Sequence, residues 1–254
     1  MNDCVLQVSQ LQKSFGAVQA TNNLSLEIER GQVHALIGPN GAGKTTLIKQ
    51  LCGELIPDSG KIFFNNRNVT SLPMQKRALL GMGRSFQITS VFQQLTVKEN
   101  TALAVQAHHG HSFHFWKPAA KEKKLEQATI QALQRCGLLA RADTIASSLS
   151  HGELRQLDVG MALAGKPQLL LLDEPMAGMG PGGSLKMTEL VQELKGNTSV
   201  LLIEHDMQAV FSLADRITVL VYGEAIATGT AEEIQNNPEV QRAYLGDQQA
   251  NARA

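Results

Sequence analysis

"VHALIGPNGAGKTTLIKQLC", residues 33–52, decides the fold. A short apolar run, 33–37, breaks into a glycine-rich loop, and a helical pattern follows from 44 to 52. Within it, "GPNGAGKTT", residues 38–46, fits the spacing G-x-x-x-x-G-K-[ST] through Gly38, Gly43, Lys44 and Thr45. A strand before the loop and a helix after it are the context a phosphate-binding loop requires. The glycines let backbone N–H groups approach phosphate oxygens closely. Lys44 supplies a cation to the β- and γ-phosphates, and the Thr45 hydroxyl is a ligand for Mg²⁺. Pro39, Asn40, Gly41 and Ala42 complete the loop, and Thr46 follows on the helix. At the ordinary glycine frequency of roughly 7%, the bare pattern arises by chance in roughly 1% of chains this long, and the strand–helix context lowers that figure.

A second anion-binding signal lies more than a hundred residues downstream, in "LSHGELRQL", residues 149–157. Ser150 stands at a helix start with Glu153 three residues later, the spacing of a capping box. Gly152 lies between them. A helix N-terminus of this kind also attracts anions. One chain therefore carries two phosphate-site signals.

Around these motifs, strand and helix patterns alternate. Strands are expected at 24–29, 33–37, 61–64, 168–175, 199–205 and 216–222. Helices are expected at 44–52, 96–107 (opened by a Thr96/Glu99 capping box), 121–135, 150–164, 184–195 and 207–214, with turns at 57–60 and 65–68. Apolar strands alternating with amphipathic helices imply a mostly parallel sheet covered on both faces. The stretch 88–150 lacks strand patterns and reads as a helical insertion. No internal repeat is evident, and the last residues, "DQQANARA", read as a frayed tail.

Two strand ends carry chemistry. "LLLLDEP", 169–175, ends in Asp173, which suits Mg²⁺, and Glu174, placed to polarise an attacking water. "LLIEHDM", 201–207, puts His205 just past another strand, where it is placed to hydrogen-bond a γ-phosphate or to orient the attacking water, a purely structural histidine being the plain alternative. Ligands of open parallel sheets gather beyond the carboxyl ends of the strands. Solvated carboxylates at a strand end are the plain alternative for the acidic pair, and a phosphate loop in the same sheet disfavours it.

Bulk properties exclude several classes. Lys+Arg and Asp+Glu are equal at 23 each, so no net basic charge draws the chain to nucleic acid. Three cysteines, Cys4, Cys52 and Cys136, have no metal-ligand spacing and are expected as reduced thiols. The start "MNDCVLQVSQ" lacks the pattern of a signal peptide, and the longest apolar run is far too short to span a bilayer. The segment "HHGHSFHFW" holds His108, His109, His111 and His114, without a second ligand cluster, and reads as a polar loop with aromatic anchors.

With the phosphate loop, "LSHGE", "LLLLDEP" and "LLIEH" in this order, the chain resembles the ATP-binding subunits of ABC transporters, over about residues 4–246. That resemblance implies an α/β P-loop NTPase with a RecA-like core, a mostly parallel sheet, N-terminal antiparallel β strands and an inserted α-helical subdomain. It implies one ATP-binding domain over 1–254, with the core at about 1–87 and 155–246, the subdomain at about 88–154 and a tail at 247–254. Phe15 matches the aromatic residue that stacks on adenine. Gln87 matches the glutamine that joins core to subdomain and senses Mg²⁺ and the membrane partner.

The family signature is usually written LSGGQ; here His151 replaces a glycine and Glu153 a glutamine. "AGMG", 177–180, matches the loop that crosses the dimer interface, with Gly180 where Asp or Asn is usual. In the family, two subunits pack head to tail, and Ser150, Gly152 and Glu153 of one complete the ATP site of the other. The two phosphate signals are then halves of two composite sites. The resemblance implies ATP and Mg²⁺, a second ATPase subunit (the same or a similar chain), integral membrane permease subunits and, indirectly, a solute-binding protein. It places the chain on the cytoplasmic face of a bacterial-type plasma membrane.

The stretch "RSFQITSVFQQLTVKEN", an insert near 104–124, "MAGMGP" and the ending "RAYLG" resemble the branch that serves branched-chain amino acid importers. Urea and amide importers and the lipopolysaccharide-export ATPase are the neighbouring alternatives. "GMGPGGS", 178–184, lacks the two carboxylates of the "GMGPEES" usual there. A soluble ABC ATPase acting on nucleic acid or ribosomes is a different class. It usually carries two cassettes or large insertions, which this chain lacks. A non-catalytic nucleotide-binding regulator is disfavoured by the intact Lys44, Asp173, Glu174 and His205.

Overall fold

A computed structural model describes residues 3–85, 91–109 and 123–243. The chain forms two compact units, one of Met1–Leu80 with Leu194–Ala254 and the other of Gly81–Glu193.

The first unit opens with strand β1, Cys4–Phe15, and strand β2, Val18–Glu29, paired antiparallel. From Leu24 the burial of β2 alternates, so Leu24, Leu26 and Ile28 face inward against Leu11, Val8 and Leu6 of β1. Strand β3, Val33–Ile37, is buried along its whole length, and helix α1, Lys44–Cys52, follows the glycine loop. Strand β4, Ser59–Phe64, returns antiparallel to β1 and pairs with the two-residue strand β5, Arg67–Asn68.

The turns at 57–60 and 65–68 are shorter than the sequence suggests. Ser59 and Gly60 already belong to β4, and the β4–β5 hairpin needs only Asn65 and Asn66. Both take positive φ, +49° and +62°, as the central residues of a type I′ turn must. Helix α2, Met74–Leu79, closes this part of the unit.

The second unit begins with strand β6, Met82–Arg84, and then helix α3, Val97–His109, and helix α4, Lys123–Arg135. The Thr96/Glu99 capping box opens α3: the Thr96 amide donates to the Glu99 carboxylate at 2.7 Å, and the Glu99 amide to Thr96 Oγ1 at 3.1 Å. Two short 3₁₀ turns, Leu139–Arg141 and Ala146–Ser148, lead into helix α5, His151–Ala164. Val105, Leu125, Ala132 and Ala164 form a core that ties α3, α4 and α5 together. Strand β7, Leu169–Asp173, lies parallel to β6, and helix α6, Pro181–Leu194, follows. α6 starts three residues before the expected Ser184, because Pro181 suits the first helical position, where its missing N–H costs nothing.

The chain then re-enters the first unit with strand β8, Ser199–Ile203, helix α7, Met207–Leu213, strand β9, Arg216–Val221, strand β10, Glu224–Gly229, and helix α8, Ala231–Gln235. β3 lies between β8 and β9 and is parallel to both; β10 turns back antiparallel on β9. Every residue of β3 and β8 is buried, the mark of parallel strands covered on both faces. Ala35, Ile37, Val210, Ile217, Val219, Ile234 and Val240 form one continuous core on this sheet. Full burial of each of its Ile and Val side chains contributes about 1.5–3 kcal/mol.

Cys4, Cys52 and Cys136 are buried and form no disulfide, and burial pushes the Cys136 thiol up to about 11. Among the described residues no helix is long and apolar enough to cross a membrane.

Candidate functional site

The carboxyl ends of β3 and β8 lie side by side, with Leu36 in register with Ile203. Two residues beyond each lie Gly38, where the glycine loop begins, and His205. His205 is well exposed; its backbone amide donates to the carboxylate of the buried Glu204 at 3.2 Å. Asp206 caps the following helix α7.

The loop from 38 to 43 is shaped by segments far away in sequence. Gly38 has φ +155°, and a Cβ there would lie 2.1 Å from the Leu220 carbonyl oxygen of β9. Gly43 has φ +104°, and its Cβ would lie 2.1 Å from the Ala20 carbonyl oxygen of β2. Neither position admits a side chain. The β9–β10 turn, Tyr222 and Gly223, also has positive φ at both residues. The Gly223 amide donates to the Ala42 carbonyl at 2.9 Å, and the Asn22 amide to the Gly223 carbonyl at 2.9 Å. Three strand ends thus clamp one loop.

The helix starts differ in a telling way. α5 is capped by its own residues: the Ser150 hydroxyl accepts from the Glu153 amide at 3.3 Å, and the Ser150 amide donates to Glu153 Oε2 at 2.9 Å. The Ser150 amide, with Arg141 at 3.1 Å adding to it, holds the Glu153 carboxyl below the usual carboxylate range. α1 has Gly43 at its N-cap and no side-chain cap. Its first amides point out of the helix without an intrahelical acceptor, as all first-turn amides do. An anion at this end satisfies them and the helix dipole together. Lys44 Nζ lies over the same loop, donating to the carbonyls of Gly38 at 2.6 Å and Pro39 at 2.9 Å. Thr45 is exposed on the first turn of α1. A glycine cradle, a cation and a hydroxyl together fit a Mg²⁺-bound polyphosphate.

Beside this loop Phe15, Thr45, Thr46, Lys49, Glu54 and Leu55 line an open cleft of about 370 Å³. Phe15 is half exposed there, with Lys13 Nζ 5.6 Å from its ring centroid. Lys49 follows Thr45 by one helical turn and was within reach of a periodicity argument. Glu54 and Leu55, past the Gly53 cap, carried no such signal.

The other expected residues lie in the second unit. Asp173 ends β7 and is buried. Glu174 follows in a left-handed conformation, φ +48°, which a non-glycine residue adopts only where its surroundings enforce it. Its carbonyl accepts from the Ala177 amide at 3.1 Å and from Arg155 Nη2 at 3.3 Å. Ser150 caps α5, and the exposed His151 opens its first turn with Gly152 and Glu153. A Cβ built on Gly178 would meet His151 Cε1 at 3.2 Å, and one on Gly152 would meet Met179 Cε at 3.5 Å. Neither this packing nor the Arg155 contact was visible in the sequence. Gln87 and the histidines at 111 and 114 lie outside the described residues, as do the side chains of His108 and His109. Among the described residues no three His, Cys, Asp or Glu side chains group to hold a metal ion.

Comparison with known proteins agrees with this architecture. The ABC transporter family model matches residues 21–177, and the model for branched-chain amino acid ATP-binding cassette transporters matches residues 226–250. The high-affinity branched-chain amino acid transport ATP-binding protein LivG of Salmonella typhimurium is 40% identical, over 97% of this chain and all of its own. A nucleotide-free ATP-binding cassette from an ABC transporter superposes with a TM-score of 0.84 at 31% identity, covering 95% of this chain and 98% of its own. The ADP conformation of another such cassette gives 0.83 at 29% identity, covering 96% and 99%. The chain therefore belongs to the ABC transporter ATP-binding family, in the branch of the branched-chain amino acid transport ATP-binding proteins.

Proposed function

We propose that this ATPase powers import of branched-chain amino acids through separate permease subunits, from the cytoplasmic face of the membrane. The observation that carries the chemistry is the start of α1, which has no side-chain cap and has Lys44 folded over the same loop. The substrate class follows the relatives, whose names specify branched-chain amino acid transport.

In this reading Lys44 and the amides of residues 38–46 hold the β- and γ-phosphates of ATP, and Phe15 stacks on the adenine. Thr45, Asp173 and Gln87 would hold Mg²⁺, which would supply positive charge to the phosphates of ATP. Glu174 takes a proton from the attacking water. The water oxygen bonds to the γ-phosphorus as the bond to the β-bridging oxygen breaks, releasing ADP and phosphate. His205 steadies the γ-phosphate. Ser150, Gly152 and Glu153 act on the ATP of a second ATPase subunit, so that ATP binding closes the pair and hydrolysis reopens it. Fixed charge aimed at the transferred phosphate supplies most of such catalysis.

The test is to tag the chain in its own cells, solubilise membranes gently and identify the proteins that co-purify. Two permease subunits and a second ATPase, with leucine uptake lost on deleting the chain, support the reading. Recovery without membrane partners overturns the transport role and leaves the ATPase. For the catalytic assignment, Glu174→Gln should bind ATP with hydrolysis at least about 100-fold slower; brisk turnover overturns it.

A further inference from the structure

Helix α5 holds the loop that carries Glu174 at three points. Arg155, buried on the second turn of α5, donates to the Glu174 carbonyl at 3.3 Å. Met179 packs on Gly152, and a Cβ on Gly183 would reach Met179 Cβ at 3.3 Å, so this side chain is wedged between the starts of α5 and α6. His151 lies against Gly178, with its Cε1 and Nδ1 3.2 and 3.5 Å from where a Cβ would stand. Gly178 has φ +71°, and four residues before it Glu174 has φ +48°, with the Ala177 amide closing the turn between them on the Glu174 carbonyl. The backbone that orients the Glu174 carboxylate is thus fixed by contacts to the first turns of the signature helix.

We propose that His151, through its packing on Gly178, is a positioning residue for Glu174, and that it transmits engagement of the α5 N-terminus by the second subunit's ATP to the water-activating carboxylate of its own chain. The inference rests on the roles given above to Ser150 and Glu174. Each chain's α5 serves one ATP and its Glu174 the other, so the contact links hydrolysis at one site to occupancy of the other. Sub-ångström movement is enough, because a packed loop shifts between discrete arrangements and does not deform continuously. A glycine at position 151 removes the link and leaves the capping box of Ser150 and Glu153 intact.

The test is a double-mutant cycle on the full-length chain with His151→Ala, Gly178→Ala and the pair, plus His151→Phe, which keeps a flat ring. kcat and KM for ATP hydrolysis, ATP affinity and the melting temperature without nucleotide are measured for each. His151→Ala is expected to lower kcat roughly fivefold with KM and ATP affinity within about twofold, the signature of an interaction that acts on the chemical step. Gly178→Ala should lower kcat more than His151→Ala, because at φ +71° its Cβ strains the backbone as well as displacing the ring, and the double variant should be no slower than Gly178→Ala alone, because the contact is already lost in it. His151→Phe should keep kcat within about twofold of the parent.

Effects that multiply in the double variant overturn the proposal. So does a raised KM with kcat unchanged, which makes His151 a direct nucleotide contact. A loss of kcat tracked by an equal loss in every variant's melting temperature, or not rescued by His151→Phe, reduces the contact to a structural one and also overturns it. Rapid turnover by Glu174→Gln is a separate result: it sinks the role of Glu174 itself.

Discussion

Replacing the buried Arg77 by Met should strongly destabilise the first unit. Arg77 projects from the short helix α2 and is 1% exposed. Its guanidinium donates to the carbonyls of Leu72 at 2.8 Å, Thr70 at 2.9 Å, Gln50 at 2.8 Å and Leu51 at 2.6 Å. Two of these acceptors are at the C-terminus of α1, where the helix dipole is negative, so the cation closes the far end of the phosphate-loop helix. Burial lowers the pKa of the guanidinium from its usual value, though it stays charged.

Gln50 also takes the Gly53 amide at 3.3 Å and keeps that bond when Arg77 is gone. The other three carbonyls lose a charge-assisted bond, each about 1–3 kcal/mol when left buried. Relief of the buried cation's desolvation offsets part of this, leaving a net loss of about 3–5 kcal/mol. Met keeps much of the stem's volume, so the loss is polar and not a cavity effect. Urea unfolding should show the midpoint falling at unchanged slope, and the melting temperature should fall by about 10 °C. Arg77→Lys should recover part of the loss, since one ammonium cannot reach carbonyls on both sides. A loss below about 1 kcal/mol for Arg77→Met would refute the reasoning, because four bonds to one buried cation would then carry no net weight.

Three further outcomes follow. His34 is buried between Gln32 and Thr218, its Nε2 2.8 Å from Thr218 Oγ1, and desolvation, with Arg216 adding to it, lowers its pKa to about 4. The unfolded chain takes up a proton near pH 6.5 and the folded one does not, so stability is held above that pH and drops as pH falls towards 4. The drop attributable to His34 is on the order of 2 kcal/mol at pH 5, and His34→Gln should flatten the pH 7 to pH 5 stability difference by that amount. An unchanged difference would remove His34 as the cause. Gly38→Ala and Gly43→Ala push a Cβ to within 2.1 Å of a carbonyl oxygen, so ATP affinity measured with a fluorescent nucleotide should fall at least 100-fold, roughly, the order expected when a backbone cradle is lost; affinity within threefold, roughly, of the parent would show that the loop is not the phosphate site. Ser150→Ala removes the hydroxyl's bonds to the Glu153 amide and carboxylate, leaves the backbone half of the capping box, and should cost about 1 kcal/mol in urea unfolding; no loss would mean that the Ser150 amide and the Glu153 carboxylate alone hold the helix start.

The glycine loop between β3 and α1 and the parallel strands were legible because one glycine spacing and long apolar runs report local structure directly. Strand β1 followed from family resemblance and not from its own pattern. Its alternation breaks at Gln10, φ +49°, where the register against β2 shifts between Val8 and Leu11. The start of α6 was misplaced because Gly182 and Gly183 read as loop although they lie inside the helix. Arg77 was illegible: a charged residue on a six-residue helix reads as surface, and only tertiary structure brings four carbonyls to it. The His151–Gly178 contact joins positions with no periodic relation, and no spacing rule finds it.

The clamp on the phosphate loop has a consequence for synthesis. The groups that shape residues 38–43 come from Ala20 upstream, but also from Leu220 and from Gly223, whose carbonyl Asn22 holds. At translation rates of roughly 5–20 residues per second, about 180 residues separate emergence of the loop from that of its last wall, a wait of roughly 10–40 s. Nucleotide capture is therefore one of the final events of folding. A nascent chain that stalls before the β9–β10 turn carries the complete glycine motif and has no shaped site to receive ATP.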